Sequence, residues 1–519
     1  MITNVLDFLE KSADKFPDRI AFTDKDSQIS FGELRERAKA IGTCLSETIN
    51  QQIRQPVMVV AKRKISTIIS FMSTLYSGNF YVPVDPKMPT ERKHIIIKSI
   101  NPAAIIATDS SEEFLIDANF TNPTIFSKDC LAHPINETLL RSIQEKILSQ
   151  DPLFAIFTSG STGIPKCVVI KHQSVINFVE IFTQLFNLSN NVILGNQAPL
   201  DYDGSVKEIC LTLKNASTMH IIPKMFFSFP LRLFEFLDLK HVNTINWATS
   251  ALRIIASHKA LNSVKPSYIN KIFFSGEVMP VKVLNYFRKH LPEALFVNLY
   301  GPTETTFNCS YHIVNQAYNE DEVLPIGSSF PNTEIIILDQ DDLPVKNGEK
   351  GEICIRGTSL ALGYYNNPEA TNKAFVQNPL NKNFPDRIYR TGDLGKYNDL
   401  GKLVFISRMD HQIKHMGYRI ELGEIETAVN ALTFIDIGVC IYDDIKEKIV
   451  LFYQALEAND KKIITHLKDR LPKHMIPNCL IHYGKLPLKS NLKIDRVKLR
   501  EKYFNEIDYG YSSFKQINK

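Results

Sequence analysis

Short apolar and β-branched runs recur along the first four hundred or so residues, separated by amphipathic stretches. Pro56–Ala61 reads as a buried strand, Thr67–Tyr76 as a helix and Ala103–Ala107 as a further strand. Leu153–Phe157 is another apolar run, Val168–Phe186 gives strand then helix, and Lys271–Phe274 gives a strand just before Gly276. This β–α alternation predicts an α/β fold, with helices layered on mostly parallel sheets. The texture changes near residue 400. Gly401–Ile406 reads as a strand, and the polar stretch Arg408-Met409-Asp410-His411-Gln412 then breaks the pattern. A helix over Leu422–Leu432, strands over Ile437–Tyr442 and Lys448–Ala455, and a helix over Lys461–Leu471 follow. Together they predict a small α+β domain of about one hundred residues. The boundary is placed at Asp410, giving a large domain over 1–409 and a small one over 410–519.

With 519 residues, 44% hydrophobic and 22% charged, the chain is long enough for more than one core. A net charge of +4 spread over that length, with no basic run interleaved with aromatics, gives no reason to expect nucleic acid. No signal-peptide layout opens the chain, and no apolar window reaches the roughly 18 residues a membrane span needs. The eight cysteines are scattered without CxxC pairs, so neither zinc nor a disulfide framework is expected. A cytoplasmic protein with reduced thiols and no membrane partner is the expectation.

Phe157-Thr158-Ser159-Gly160-Ser161-Thr162-Gly163-Ile164-Pro165-Lys166 has the composition of a phosphate-wrapping loop. Glycines let backbone N–H groups approach an anion, hydroxyls add donors and Lys166 adds charge. It is not a Walker A loop, because no Ser or Thr follows the lysine and the glycine spacing differs. Taken alone, it reads equally as a serine/glycine turn after a buried strand.

Several other segments stand in order behind this one. They are Asn298-Leu299-Tyr300-Gly301-Pro302-Thr303-Glu304, Gly351-Glu352-Ile353-Cys354-Ile355-Arg356-Gly357 and Tyr389-Arg390-Thr391-Gly392-Asp393-Leu394. Arg408 through Lys414, Gly417 through Glu426 and Asn491-Leu492-Lys493-Ile494-Asp495-Arg496 follow. In order and spacing the chain resembles the adenylate-forming superfamily, and within it the stand-alone amino-acid adenylation domains of nonribosomal peptide synthetases. The resemblance runs from about residue 5 to residue 500. It implies a ligase that activates a carboxylate with ATP and Mg²⁺, releases pyrophosphate, and passes the acyl group to a thiol. It also implies a mobile small domain carrying the catalytic lysine.

By that resemblance Thr158, Ser159, Gly160, Ser161, Thr162, Gly163 and Lys166 would hold phosphates. Tyr300 would stack on adenine and Asn298 would hydrogen-bond its edge, with Gly276, Gly301, Thr303 and Phe405 also on the nucleotide. Asp393 would accept the ribose hydroxyls and Arg408 would support them. Glu304 would ligate Mg²⁺, and Lys493, with Lys166 and Glu304, would be catalytic. Asp410 would be the hinge. Without the resemblance, Lys493 reads as one more surface lysine beside Lys485, Lys489 and Lys498. Two departures stand out. Cys167 and Leu492 occupy positions where the family usually has glycine, which predicts a slower or specialised enzyme.

Asp203, in Tyr202-Asp203-Gly204-Ser205-Val206-Lys207, sits where the family pairs a carboxylate with the substrate α-ammonium, pointing to an amino-acid substrate. Gly204, Lys207, Asn246, Phe273, Ser275, Leu299, Phe307 and Asn308 would line the rest of the pocket. A buried Lys207 would need a partner. That partner is either an acidic substrate side chain or Glu208, or else the lysine reaches solvent, and the amino acid stays open. The Gln412 and Lys414 register resembles the carrier-protein branch of the superfamily. No phosphopantetheine-site segment is present, so a separate phosphopantetheinylated carrier protein is the expected partner. An acyl-coenzyme A ligase, a D-alanine–carrier protein ligase and a non-enzymatic pseudo-adenylation domain remain the alternatives.

Overall fold

Ser30 caps the helix Phe31–Thr48. Its Oγ accepts the Glu33 N–H at 3.2 Å while Glu33 Oε2 accepts the Ser30 N–H at 3.0 Å, satisfying two amides that the first turn leaves without partners. The computed structural model containing this helix describes residues 2–107, 122–159, 165–320, 322–409, 412–487 and 494–508. Gly160, Ser161, Thr162, Gly163, Asp410 and Lys493 therefore lie outside the described residues, as does Leu492.

In chain order come β1 (Ile20–Thr23), β2 (Gln28–Ser30), β3 (Pro56–Val60), β4 (Phe80–Val84), β5 (Ala104–Ala107) and β6 (Thr124–Phe126). Next are β7 (Pro152–Thr158), β8 (Lys166–Lys171), β9 (Ile193–Asn196), β10 (Thr218–Ile221), β11 (Thr244–Ala248) and β12 (Lys271–Ser275). Then follow β13 (Leu295–Tyr300), β14 (Ser310–Ile313), β15 (Ser328–Ser329), β16 (Thr333–Leu338), β17 (Gly351–Gly357) and β18 (Gly363–Tyr364). β19 (Phe375–Gln377), β20 (Arg387–Tyr397) and β21 (Leu403–Arg408) complete the first unit, which comprises Met1–Pro86, Ile100–Phe157 and Cys167–Met409.

One sheet runs β15-β14-β13-β12-β11-β9-β10-β1-β2, parallel from β13 to β1 with antiparallel strands at both ends. A second runs β18-β8-β7-β4-β3-β5-β6, and β3 and β4 are buried at every position. Burial on both faces is what an uninterrupted apolar run buys in a parallel sheet covered by helices. A third, antiparallel sheet runs β16-β17-β20-β19, with β21 on β20. The mixed α/β architecture is the one the alternating pattern predicts.

The second unit comprises Lys87–Ser99, Thr158–Lys166 and Asp410–Lys519. It contains the hairpin β22 (Gln412–His415) and β23 (Tyr418–Glu421), and the sheet β24 (Ile437–Asp443), β25 (Lys448–Gln454), β26 (Cys479–Tyr483). The Gly423–Glu426 stretch starts the helix Leu422–Asn430, as its amphipathic pattern predicts. Both Glu426 carboxylate oxygens accept from Arg496, at 2.7 and 2.8 Å.

One expectation is corrected. Cys44 and Cys130 are joined in a disulfide with Cα atoms 6.2 Å apart, across 86 residues of sequence. Linear spacing says nothing of which distant cysteines the fold brings together. Cys167, Cys210, Cys309, Cys354, Cys440 and Cys479 are buried outside that disulfide. Among the described residues no helix is long and apolar enough to cross a membrane.

Candidate active site

The carboxyl end of β13 delivers Tyr300, and the pairing of β20 with β21 sets Asp393 opposite Arg408. The three side chains meet. Tyr300 OH donates to Asp393 Oδ2 at 2.5 Å, and Arg408 Nη1 donates to Asp393 Oδ1 at 2.6 Å. Burial, reinforced by the Asp393 charge, pushes the Tyr300 phenol well above its ordinary range, so it stays a donor. Asn298, two residues earlier on β13, donates its side-chain amide to the Pro325 carbonyl at 2.8 Å. Phe405 lies half-buried on β21. A carboxylate held by a phenol and a guanidinium is chemistry suited to a ribose.

The chain then doubles back tightly. A Cβ on Gly301 would sit 2.5 Å from Asn308 Cα, so only glycine lets the two backbones meet. Thr306 and Phe307 both take left-handed backbone conformations, φ +53° and +70°, which β-branched and aromatic residues rarely adopt. Between them and Gly301 the short 3₁₀ turn Thr303–Thr305 presents Glu304, fully buried, with Oε1 accepting the Tyr364 OH at 2.8 Å. Gly276, after β12, has φ +97° and open space where a side chain would stand.

Asp203 opens the helix Asp203–Asn215 and is buried. Thr303 Oγ1 donates to its Oδ2 at 2.8 Å. Burial pushes the Asp203 carboxyl up, against the lowering pull of Thr303 and Lys207. One turn on, Lys207 is 2% exposed and donates to Asn246 Oδ1 at 2.9 Å and Asn308 Oδ1 at 2.8 Å. It neither reaches solvent nor hydrogen-bonds Glu208, whose Oε2 instead accepts from Asn196 at 2.5 Å. Burial pushes the Lys207 ammonium down and the Glu208 carboxyl up. Gly204 leaves ordinary van der Waals distance to Ala198, and Ser275 ends β12. Leu299, Phe273 and Phe307 are buried, the two phenylalanines in tilted and edge-on contact with Phe182, Phe178 and Phe186.

The glycine-rich loop belongs to the second unit. Thr158 ends β7 and Lys166 starts β8, with Thr158 Oγ1 donating to the Lys166 carbonyl at 3.4 Å. Ser159 Oγ donates to the Arg419 carbonyl at 2.7 Å. Cys167, the departure after the lysine, is buried on β8, and burial pushes its thiol far up and leaves it inert.

The motifs did not point to Tyr364, Phe182 or Asn196. Tyr364 reaches Glu304 from 60 residues away, and only its place after Gly363 in Leu362-Gly363-Tyr364 marks it at all. Lys207 lies over the Phe182 ring at 5.8 Å, a contact no local spacing encodes.

The fold and this constellation define an AMP-forming ligase. The AMP-binding enzyme family model matches residues 9–365, and the chain belongs to that family. It is 30% identical to the "D-alanine--D-alanyl carrier protein ligase" of Bacillus licheniformis, over 96% of this chain and 99% of that protein. It is also similar to the crystal structure of IdnL1, with 25% identity and a TM-score of 0.79 over 93% of this chain and 99% of that one. NpsA-ThdA, an artificially fused adenylation–PCP di-domain from Klebsiella oxytoca, shares the fold at 21% identity, TM-score 0.79, over 97% of this chain and 98% of that one.

Proposed function

We propose that the chain activates an amino acid with ATP and transfers it to the phosphopantetheine thiol of a separate carrier protein. The buried Asp203 carries this reading. A carboxyl pushed up by burial is one that an incoming α-ammonium would restore to its charged form, and Thr303 holds it in place. The similarity to carrier protein ligases supports the acceptor. A cytoplasmic location suits the ATP requirement.

In the first half-reaction a substrate carboxylate oxygen attacks the α-phosphorus, the bond to the β-phosphate oxygen breaks, and pyrophosphate leaves. In the second, the carrier thiolate attacks the acyl carbon and AMP departs. No protein nucleophile takes part, so catalysis is positioning and charge neutralisation. Asp393, held by Tyr300 and Arg408, receives the ribose, and Asn298 and the Tyr300 ring receive adenine. Thr158 to Lys166 bind the leaving phosphates. Lys493 neutralises charge between carboxylate and α-phosphate, and the small domain turns about Asp410. A single buried oxygen donor at Glu304 fits Mg²⁺, which takes one or two carboxylates together with water and phosphate oxygens. Bound there, the ion would neutralise phosphate charge.

Amino-acid-dependent exchange of labelled pyrophosphate into ATP tests the first half-reaction, and thioester formation on a holo-carrier against coenzyme A tests the second. Exchange abolished by Lys493→Ala is expected. Exchange absent with every amino acid, while ATP still binds, overturns the proposal and favours the pseudo-adenylation reading.

A further inference from the structure

Asp203 and Lys207 are four residues apart on one helix and so share a face, with Cα atoms about 6 Å apart along the axis. Lys207 Nζ is enclosed by groups from three other elements. Asn246 comes from β11, Asn308 from the loop after β13, and Phe182 from the helix His172–Leu185. An ammonium carries three N–H donors. Two go to the neutral amide oxygens of Asn246 and Asn308, and among the described residues the third has no acceptor.

Glu208 and Asp203 supply the opposing charge, and neither hydrogen-bonds Nζ. Glu208 is the next residue, so its side chain leaves the helix about 100° away and engages Asn196 and Asn246. Asp203 is occupied by Thr303 and, on the reading above, is reserved for the α-ammonium of the substrate. Once an α-ammonium neutralises Asp203, Lys207 keeps Glu208 as its opposing charge but still has one buried donor unused. A buried polar group without an acceptor is costly, and a methyl group placed against it would only deepen the desolvation.

We infer that Lys207 is a specificity-determining residue that binds the side-chain carboxylate of an aminodicarboxylic acid of the glutamate or aspartate type, the substrate being adenylated on its α-carboxylate. A side-chain carboxylate supplies the missing acceptor, and Asn246 and Asn308 hold Nζ toward it. The inference rests on the amino-acid adenylation reading and separates this chain from an alanine activator.

The test is pyrophosphate exchange on the full chain with both enantiomers of glutamate, aspartate, glutamine, asparagine and alanine. For the wild type, an acidic amino acid is expected to exceed its own amide and alanine at least 100-fold in kcat/KM. Lys207→Met is expected to erase that ratio, mainly through KM for the acid, while exchange with the neutral isostere rises. The wild-type ratio of acid to isosteric amide needs no variant, so it decides the matter even if Lys207→Met fails to fold. Strong exchange with D-alanine or another neutral amino acid overturns the inference and leaves the adenylation reading standing. An acid preference that survives in Lys207→Met overturns the role of Lys207. Silence across the panel with ATP bound overturns the inference, and the adenylation reading falls with it only if every other amino acid is silent too.

Discussion

Arg408→Ala is the perturbation whose cost the geometry sets most directly. The variant removes a guanidinium 2.6 Å from Asp393 Oδ1, where the carboxylate is 4% exposed and the arginine side chain 12%. Breaking a buried pair by deleting one partner costs about 3–5 kcal/mol, and the partial exposure of Arg408 places the loss near 3 kcal/mol. For a unit of roughly 400 residues unfolding with about 2.1 cal/mol/K of entropy per residue, that is a fall in Tm of about 4 °C. Scanning calorimetry of Arg408→Ala, Asp393→Asn and the double variant closes a cycle. The double variant should be less damaged than the sum of the singles by about 2 kcal/mol, because removing both partners leaves no orphaned charge. On the proposed ribose role, calorimetric titration should also show ATP binding at least about 10-fold weaker in each single variant, equivalent to about 1.4 kcal/mol. A Tm within 1 °C of wild type, by the same entropy arithmetic worth under about 1 kcal/mol, together with unchanged ATP affinity, refutes the claim that this pair orders the pocket.

Tyr364→Phe removes the hydroxyl from the fully buried Glu304 and should cost about 2 kcal/mol in urea unfolding, the usual worth of a hydrogen bond to a charged group. Gly301→Ala puts a methyl 2.5 Å from Asn308 Cα; it should destabilise by about 2 kcal/mol or more, since only backbone can yield, and should depress pyrophosphate exchange. His172 is buried with Nδ1 accepting the Val5 N–H, and burial holds its imidazole down to about 4 against about 6.5 when unfolded. Because the neutral form is favoured in the fold, its contribution is complete above pH 6.5 and lost as pH falls through 4. Relative to His172→Asn, wild type should lose about 3 kcal/mol across that window in denaturant titrations.

The parts of the molecule legible in the sequence are those whose information is local. β3 and β4 are unbroken apolar runs because both their faces are covered, and Asp203 and Lys207 share a face because helical spacing requires it. What stayed hidden comes from distant chain. Thr303 meets Asp203 across 100 residues, Asn308 meets Lys207 across 101, and Cys44 meets Cys130 across 86. Periodicity has no reach over such separations. The Thr303 hydroxyl meets a carboxylate that its own motif does not contain. The left-handed backbone at Thr306 and Phe307 was equally invisible, since neither residue type advertises it.

The order of strands in the largest sheet bears on how the chain is made. β1 lies between β2 and β10, and Thr23 meets His220 across 197 residues. At about 5–20 residues per second, the ribosome delivers β10 roughly 10–40 s after β1. Throughout that interval the β1–β2 hairpin presents an unpaired edge, while β3 to β8, which build a different sheet, emerge past it. The nascent chain is therefore most open to wrong pairing in its first half, and a pause in translation before β10 would lengthen the exposure of β1.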